Sequence, residues 1–397
     1  MKKLFIITVF LFPQFLFPQD YVHQVLILNE GYFDFTTNQT VISPSIGSYD
    51  PINQVYTTVD TLTGSRFASD MILDGDYVYV AADNILYKYD KNSMNLIASQ
   101  NVAGIRNLAV WNDKIIITRG DYDNTTFMPI IFNSYLQVYN TIDLSFYAEL
   151  DTISGPKWST QNIIINDDML YVAINNAFEF GNEKGIIGIL DLTTMNYVNE
   201  IDLGPDGKNP DNLVYNGTNL YTINNKDWSG ASISEVDIST GVATTVNISM
   251  VSTGCGTSCI KNNKIMYQIS QDTELYEWDP LLMPNSGIPM GYSQNFYELS
   301  VNELNGYLYA SNTDFFSYGT VNIYDNNNVP VSSFITSISP GKIVFDIRSM
   351  SVNISEISLQ NILESSVYDI FGRRINSLEN LSQGIYIVNG KKIYLKE

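Results

Sequence analysis

The sequence predicts an all-β chain, a seven-bladed β-propeller followed by a small antiparallel β domain. Three observations carry this: a strand signal that recurs at even spacing, a strand–turn–strand unit upstream of it, and a break in charge near residue 347. The recurring signal alternates apolar residues and ends on an acid or amide, at 46–50, 86–90, 136–140, 187–191, 233–237, 275–279 and 321–325. The final residues are 40 to 51 positions apart, with a mean near 46, which suits a blade of four strands. Seven copies predict seven blades.

The upstream unit is clearest at 71–79, 163–171, 213–221 and 301–309, and weaker at 108–116 and 260–267. Its turns carry Asp74-Gly75, Asn166-Asp167, Asn216-Gly217 and Asn305-Gly306. These pairs tolerate positive φ and close tight hairpins. Each repeat therefore reads as inner strand, hairpin, second strand, variable loop, third strand, short turn, outer strand. The first copy lacks its inner strand, because 25–29 already reads as a second strand. The missing strand lies at 340–345, so the C-terminal end of the array closes the ring and removes free sheet edges. The alternative, a β-sandwich beside a separate sheet domain, does not account for so even a period.

The chain has 397 residues, with 42 acids against 21 Lys and Arg, for a net charge of -21. Such a field repels nucleic acid and excludes it as a partner. Apolar residues at 45% are too many for a disordered acidic chain, and 27 Tyr with 19 Phe favour sheets. One histidine, His23, and two cysteines exclude a histidine triad, a multi-histidine metal site and a thiolate zinc site. No cofactor is expected. The Asp and Asn clusters leave structural calcium as an alternative, without EF-hand spacing.

Lys2 and Lys3 precede an apolar run at 4–17, the form of a secretory signal occupying 1–19. The run is too short to span a bilayer, and a buried N-terminal strand is the alternative. No cysteine follows it, so no lipid anchor is expected. Residues 20–346 hold 13 basic and 37 acidic side chains, whereas 347–397 hold six and five. That break marks a domain boundary. Within the tail, 351–359, 366–370, 384–388 and 391–395 read as strands of an antiparallel unit.

The strand order sorts the loops. Connections between second and third strands, and from each outer strand to the next inner one, share one face of the disc. They are long, varied and aromatic, whereas the opposite turns are short and uniform. Loops on a rigid scaffold are the usual seat of recognition. The apolar candidates for ligand contact are Tyr32, Trp158, Phe178, Trp228 and Phe316. The polar candidates are Arg66, Arg106, Arg119 and Asp227, the arginines to pair an anionic ligand group. Aromatic rings among amides suit a small molecule, a glycan or a partner protein. The alternatives are a structural or adhesion role, in which the loops pack only on themselves, and a carboxylate enzyme using Asp34, Asp121, Glu179, Asp227 or Asp314. Catalysis is not expected. Export permits a disulfide between Cys255 and Cys259, flanked by Gly254 and Gly256.

Two sets of residues resemble known families. The tail residues Tyr368, Asp369, Gly372 and Arg373, then Gly384 and Tyr386, resemble the type A C-terminal sorting domain of the type IX secretion system of Bacteroidota. That resemblance implies passage across the outer membrane to the cell surface, with the secretion machinery and a sortase as partners. The opening 25–33, with 209–213 and 339–345, resembles exported YncE-like seven-bladed propellers of Bacteroidota. Some relatives in that group capture cobalamin beside a TonB-dependent transporter, which makes nutrient capture a further alternative. The resemblance implies the architecture and a surface location.

Overall fold

The computed structural model describes residues 19–254, 257–282, 287–349, 355–356, 367–375, 384–388 and 391–395. The export signal expected at 1–19 lies outside them apart from Gln19. Among the described residues, seven four-stranded sheets follow one another along the chain. Blade two shows the plan. Its inner strand is Ala68–Asp74, its second Tyr77–Ala82, its third Ile85–Asp90 and its outer Leu96–Asn101. All three pairings are antiparallel.

Burial explains the sequence pattern of each strand. The second strands Tyr77–Ala82, Lys114–Arg119 and Asn219–Asn224 are almost wholly buried, because a neighbouring blade covers each face. They read as apolar or uncharged runs, with charge only at the ends of the second example, Lys114 and Arg119. The outer strands lie at the rim and stay largely exposed, as in Leu96–Asn101 and Asn196–Asp202. Apolar packing sits between blades. Leu26, Met71, Val80 and Tyr89 join blades one and two, and Leu136, Ile163, Val172 and Leu190 join blades three and four.

The ring closes as the sequence predicts. Blade one runs from its inner strand Pro340–Ser349 through Asp20–Asn29 and Ser45–Asp50 to Val55–Thr61. Val25, Ile27 and Ile343 pack against Tyr309, Val321 and Phe334 of blade seven. Tyr49 stacks on Phe334 with ring centroids 3.9 Å apart and planes 6° from parallel. The closing strand continues past its expected end at 345. There Phe345 meets the Tyr309 ring edge-on at 5.0 Å, and buried Asp346 accepts a hydrogen bond from Gln24 at 3.1 Å.

The acids that set the repeat period cap turns. Asp90 accepts the amides of Asn92 and Ser93 at 3.1 and 2.7 Å, and Asp191 those of Thr193 and Thr194 at 2.8 and 3.2 Å. Asp237 does the same for Ser239 and Thr240 at 2.8 and 3.3 Å. These hydrogen bonds favour the ionised form and hold all three carboxyls below the usual range. The periodic residues are thus a turn device of the blade, repeated because the turn repeats. The inner hairpins need left-handed backbone, and where blade six has no glycine, Asn262 and Asn263 supply φ of 53° and 62°.

The chain divides into two compact units, one of them Val22–Ile347, and Arg348–Glu397 falls in the other. The tail forms a five-stranded sheet from Ser355–Glu356, Val367–Asp369, Arg374–Ile375, Gly384–Val388 and Lys391–Leu395. One expectation needs correction. Ser355–Glu356 pairs with Lys391–Leu395 in parallel, not antiparallel. The long connection between these two segments allows the parallel direction, which a tight hairpin forbids. The tail motif is a turn. Asp369 accepts the amides of Phe371 and Arg373 at 2.9 and 2.8 Å and the Arg373 Nε at 2.7 Å, around Gly372 at φ 78°. Tyr386 is buried on the facing strand, which begins at Gly384.

Candidate functional site

The inner strands surround a cavity of about 1250 Å³ along the propeller axis. Their register defines its levels. Met71, Leu108, Ile163, Leu213, Cys259 and Leu299 face the second strand of their own blade, opposite Val80, Ile117, Val172, Thr222, Met266 and Ala310. The residue before each is Asp70, Asn107, Asn162, Asn212, Ser258 or Glu298, and Lys342 stands likewise before Ile343. This polar level stitches blade to blade. Asp70 accepts the Leu108 amide at 2.9 Å, Asn162 the Leu213 amide at 3.2 Å, and Asn212 donates to the Ser258 carbonyl at 2.9 Å. Lys342 pairs with buried Asp70 at 3.2 Å, which joins the two ends of the array.

One residue earlier along the chain stand Ser69, Arg106, Gln161, Asp211, Thr257, Tyr297 and Gly341. Arg106 donates Nε and Nη2 to Gln161 Oε1 at 3.2 and 3.1 Å. Tyr297 donates to the Glu30 carboxylate at 2.9 Å. A Cβ at Gly341 would come within 1.9 Å of Glu30 Oε1, so any larger residue there would displace the Glu30 carboxylate. Burial pushes Glu30 up to about 7, against the Tyr297 hydrogen bond and the Arg106 charge. Burial likewise raises Asp211 to about 6, opposed by Arg106 and Gln161, and Glu298 to about 7, opposed by Lys342.

The cavity opens among the long loops, on the face the strand order selects. Phe35, Tyr122, Phe127, Phe178, Phe180 and Trp228 line this mouth. Tyr122 joins several of them, lying 6.5 Å from Phe35, 6.3 Å from Phe127 and 5.8 Å from Phe178. Phe178 also carries the Arg106 guanidinium 5.1 Å from its centroid. Phe180 is 76% exposed and Trp228 42%, unusual for large rings at a concave opening. A smaller cavity of about 510 Å³ adjoins, with Tyr32, Arg66, Phe315 and Phe316 in its wall, and shares Glu30, Phe35 and Phe67 with the first.

Of the residues expected to meet a ligand, Arg106, Phe178 and Trp228 line the axial cavity, and Tyr32, Arg66 and Phe316 the smaller one. Three need correction. Arg119 is buried, donating to the Ala103 and Ser134 carbonyls at 2.8 and 2.7 Å over the Phe132 ring, because it is the last residue of a second strand. Trp158 packs on the core between blades three and four, with Lys184 Nζ 5.0 Å from its ring. Asp227 lies outside both cavity walls and accepts the Ser229 amide at 3.3 Å. The expected Cys255–Cys259 disulfide falls partly outside the described residues. Cys259 is a free thiol buried with Met266, Leu275, Phe296 and Leu299, where burial raises it to about 12. Cys255 lies outside the described residues.

The loop-face carboxylates proposed for catalysis hold their own loops. Asp34 accepts from the Thr36 amide at 2.8 Å, Glu179 from Asn176 at 2.9 Å, and Asp314 from the Phe316 and Ser317 amides at 2.9 and 2.7 Å. Asp121 pairs with Arg66 at 3.0 Å. Among the described residues, no cluster of three or more His, Cys, Asp or Glu is arranged to hold a metal ion. No helix among them is long and apolar enough to cross a membrane. The cavity-lining charges Glu30, Asp211, Glu298 and Lys342 were not among the expected site residues. Glu298 and Lys342 stand directly before the apolar anchors Leu299 and Ile343, whereas Asp211 lies two residues before Leu213 and Glu30 follows the second strand of blade one.

The raised acids carry a pH dependence. Glu30, Glu298 and Asp211 have folded values above their ordinary 4.5 or 3.8. Keeping them ionised in the fold costs stability at about pH 8, and that cost falls away as pH drops through 7 and 6. The capping aspartates have lowered values, so their contribution is lost only at about pH 4 and below. Calorimetry is expected to show the melting temperature rising from about pH 8 to about pH 5.5, with a shallower rise in Glu30→Gln.

No family model matches the chain, and no curated protein matches it. Among solved structures, a hypothetical selenium-binding protein from Sulfolobus tokodaii is similar in fold, with TM-score 0.57 and 10% identity over 83% of this chain and 94% of the other. A candidate 6-phosphogluconolactonase from Bacteroides fragilis has TM-score 0.57 and 13% identity over 82% and 98%. At such identities the likeness concerns the fold alone: this is a propeller-like all-β chain.

Proposed function

We propose that this chain is an exported propeller of the YncE-like kind that captures a small molecule at the mouth of its axial cavity, without catalysis. The observation that carries the reading is the cavity of about 1250 Å³ opening among exposed rings. Its volume exceeds the usual range for drug-sized ligands and leaves room for a flat or branched one. A concave mouth favours a small molecule or a glycan end over a protein partner, which would seat on a flat patch with a polar rim. The tail residues Tyr368, Asp369, Gly372 and Arg373 support delivery to the cell surface by a type IX secretion system and its sortase, through the resemblance already described. A TonB-dependent transporter as neighbour belongs to the nutrient-capture form of this reading.

The test is titration of the full chain with flat aromatic compounds, oligosaccharides and corrinoids, followed by tryptophan fluorescence. At least one class should bind. Trp228→Ala and Phe180→Ala should each weaken it about tenfold or more while shifting the melting temperature by no more than about 2 °C. Binding untouched by both substitutions, or turnover of the bound compound, would contradict the proposal.

A further inference from the structure

Building on that reading, we infer that the axial cavity selects an organic cation, an amine or quaternary ammonium carried on a flat apolar body. The first ground is the fate of the arginines that an anionic ligand would need. Arg66 is held by Asp83 and Asp121, with Asn124 accepting from Nη1 at 2.7 Å. Arg119 is held by backbone carbonyls. Arg106 donates twice to Gln161 and faces both Glu30 and Asp211. Lys342 is paired with Asp70.

The second ground is what remains. Glu30, Asp211 and Glu298 line the cavity against Arg106 and Lys342, so its wall is net acidic even before Asp70 offsets Lys342; Glu303 stands at the opposite end, in the inner hairpin of blade seven. The third is the mouth, where Phe35, Tyr122, Phe178 and Trp228 line an opening that leads to those acids. Aromatic rings backed by carboxylates are the chemistry that holds an ammonium group.

The groups facing these acids fix the pH response. Glu30 meets Tyr297, Arg106 and Glu298, Asp211 meets Arg106 and Gln161, and Glu298 meets Lys342, Ser300 and Asp70. Burial places the three acids between about 6 and about 7. They are charged at about pH 8 and neutral at about pH 5, so the cation is held at the first and released at the second.

The experiment titrates the full chain with three probes on one body: naphthylmethyl-trimethylammonium, naphthalenemethanol and naphthalenesulfonate. None of them changes charge between about pH 5 and pH 8. The ammonium probe should bind at least about tenfold more tightly than either other at about pH 8 and lose about tenfold or more at about pH 5. Glu30→Gln and Asp211→Asn should each weaken it while leaving the neutral probe unchanged. Trp228→Ala should weaken every probe that binds. If the sulfonate or the neutral probe binds as well as the ammonium, the cation inference fails and capture at the mouth stands. If none binds, the cation inference fails, and capture then rests on the wider panel. Ammonium binding that is independent of pH and of Glu30 would also overturn it.

Discussion

A chain ending at Ser339 is expected to lose its cooperative melting transition, whereas one ending at Ser349 keeps it. The difference is the strand Pro340–Ser349, which the N-terminal Asp20–Asn29 requires as its inner neighbour. Without it, Ile343 leaves the packing of Val25, Ile27, Tyr309 and Val321. A large apolar side chain lost from a core costs about 2–5 kcal/mol, and here backbone pairing and the Lys342–Asp70 ion pair go with it. The sum is comparable to the whole stability of many domains. Circular dichroism melting of the two truncations decides the point. Equal transitions would mean that the ring closes some other way.

The second large effect concerns that ion pair by itself. Lys342→Met is expected to destabilise the propeller by about 3 kcal/mol, because it leaves a buried charge unpaired. Asp70 keeps its hydrogen bonds from the Met71 and Leu108 amides, both 2.9 Å, but loses its only ion-pair partner among the described residues. Asp70 holds the Lys342 ammonium above its ordinary value, so the wild-type pair persists throughout the neutral range. In Lys342→Met, the Glu298 carboxyl loses the cation that opposed its raised value. The deficit should therefore be larger at about pH 8 than at about pH 5.5. Adding Asp70→Asn should recover part of the loss. Urea unfolding of the single and double variants measures both, and a single variant as stable as wild type would remove the pair from the account.

The ring was legible because its repeated parts solve repeated local problems. Asp90, Asp191 and Asp237 recur because each caps the same turn, and Tyr79, Tyr171 and Tyr221 because each fills the same place between blades. The face that opens the cavity followed from strand order, since Phe178 and Trp228 stand on connections between second and third strands. Arg119 and Trp158 were misjudged for a positional reason. Both sit where a strand meets a loop, and there the side chain turns inward instead of toward the mouth. The charged lining was harder to read. Asp211 and Glu298 look like ordinary polar interruptions in one strand, and their meaning appears only when seven inner strands stand around one axis.

Native mass spectrometry of the full chain, purified undenatured from the cells that make it, tests capture at the cavity mouth most directly. The account predicts a bound molecule of several hundred daltons, within what about 1250 Å³ can hold, and its loss in the Trp228→Ala, Phe180→Ala double variant. Protein that carries no adduct, or an adduct that survives both substitutions, would contradict it.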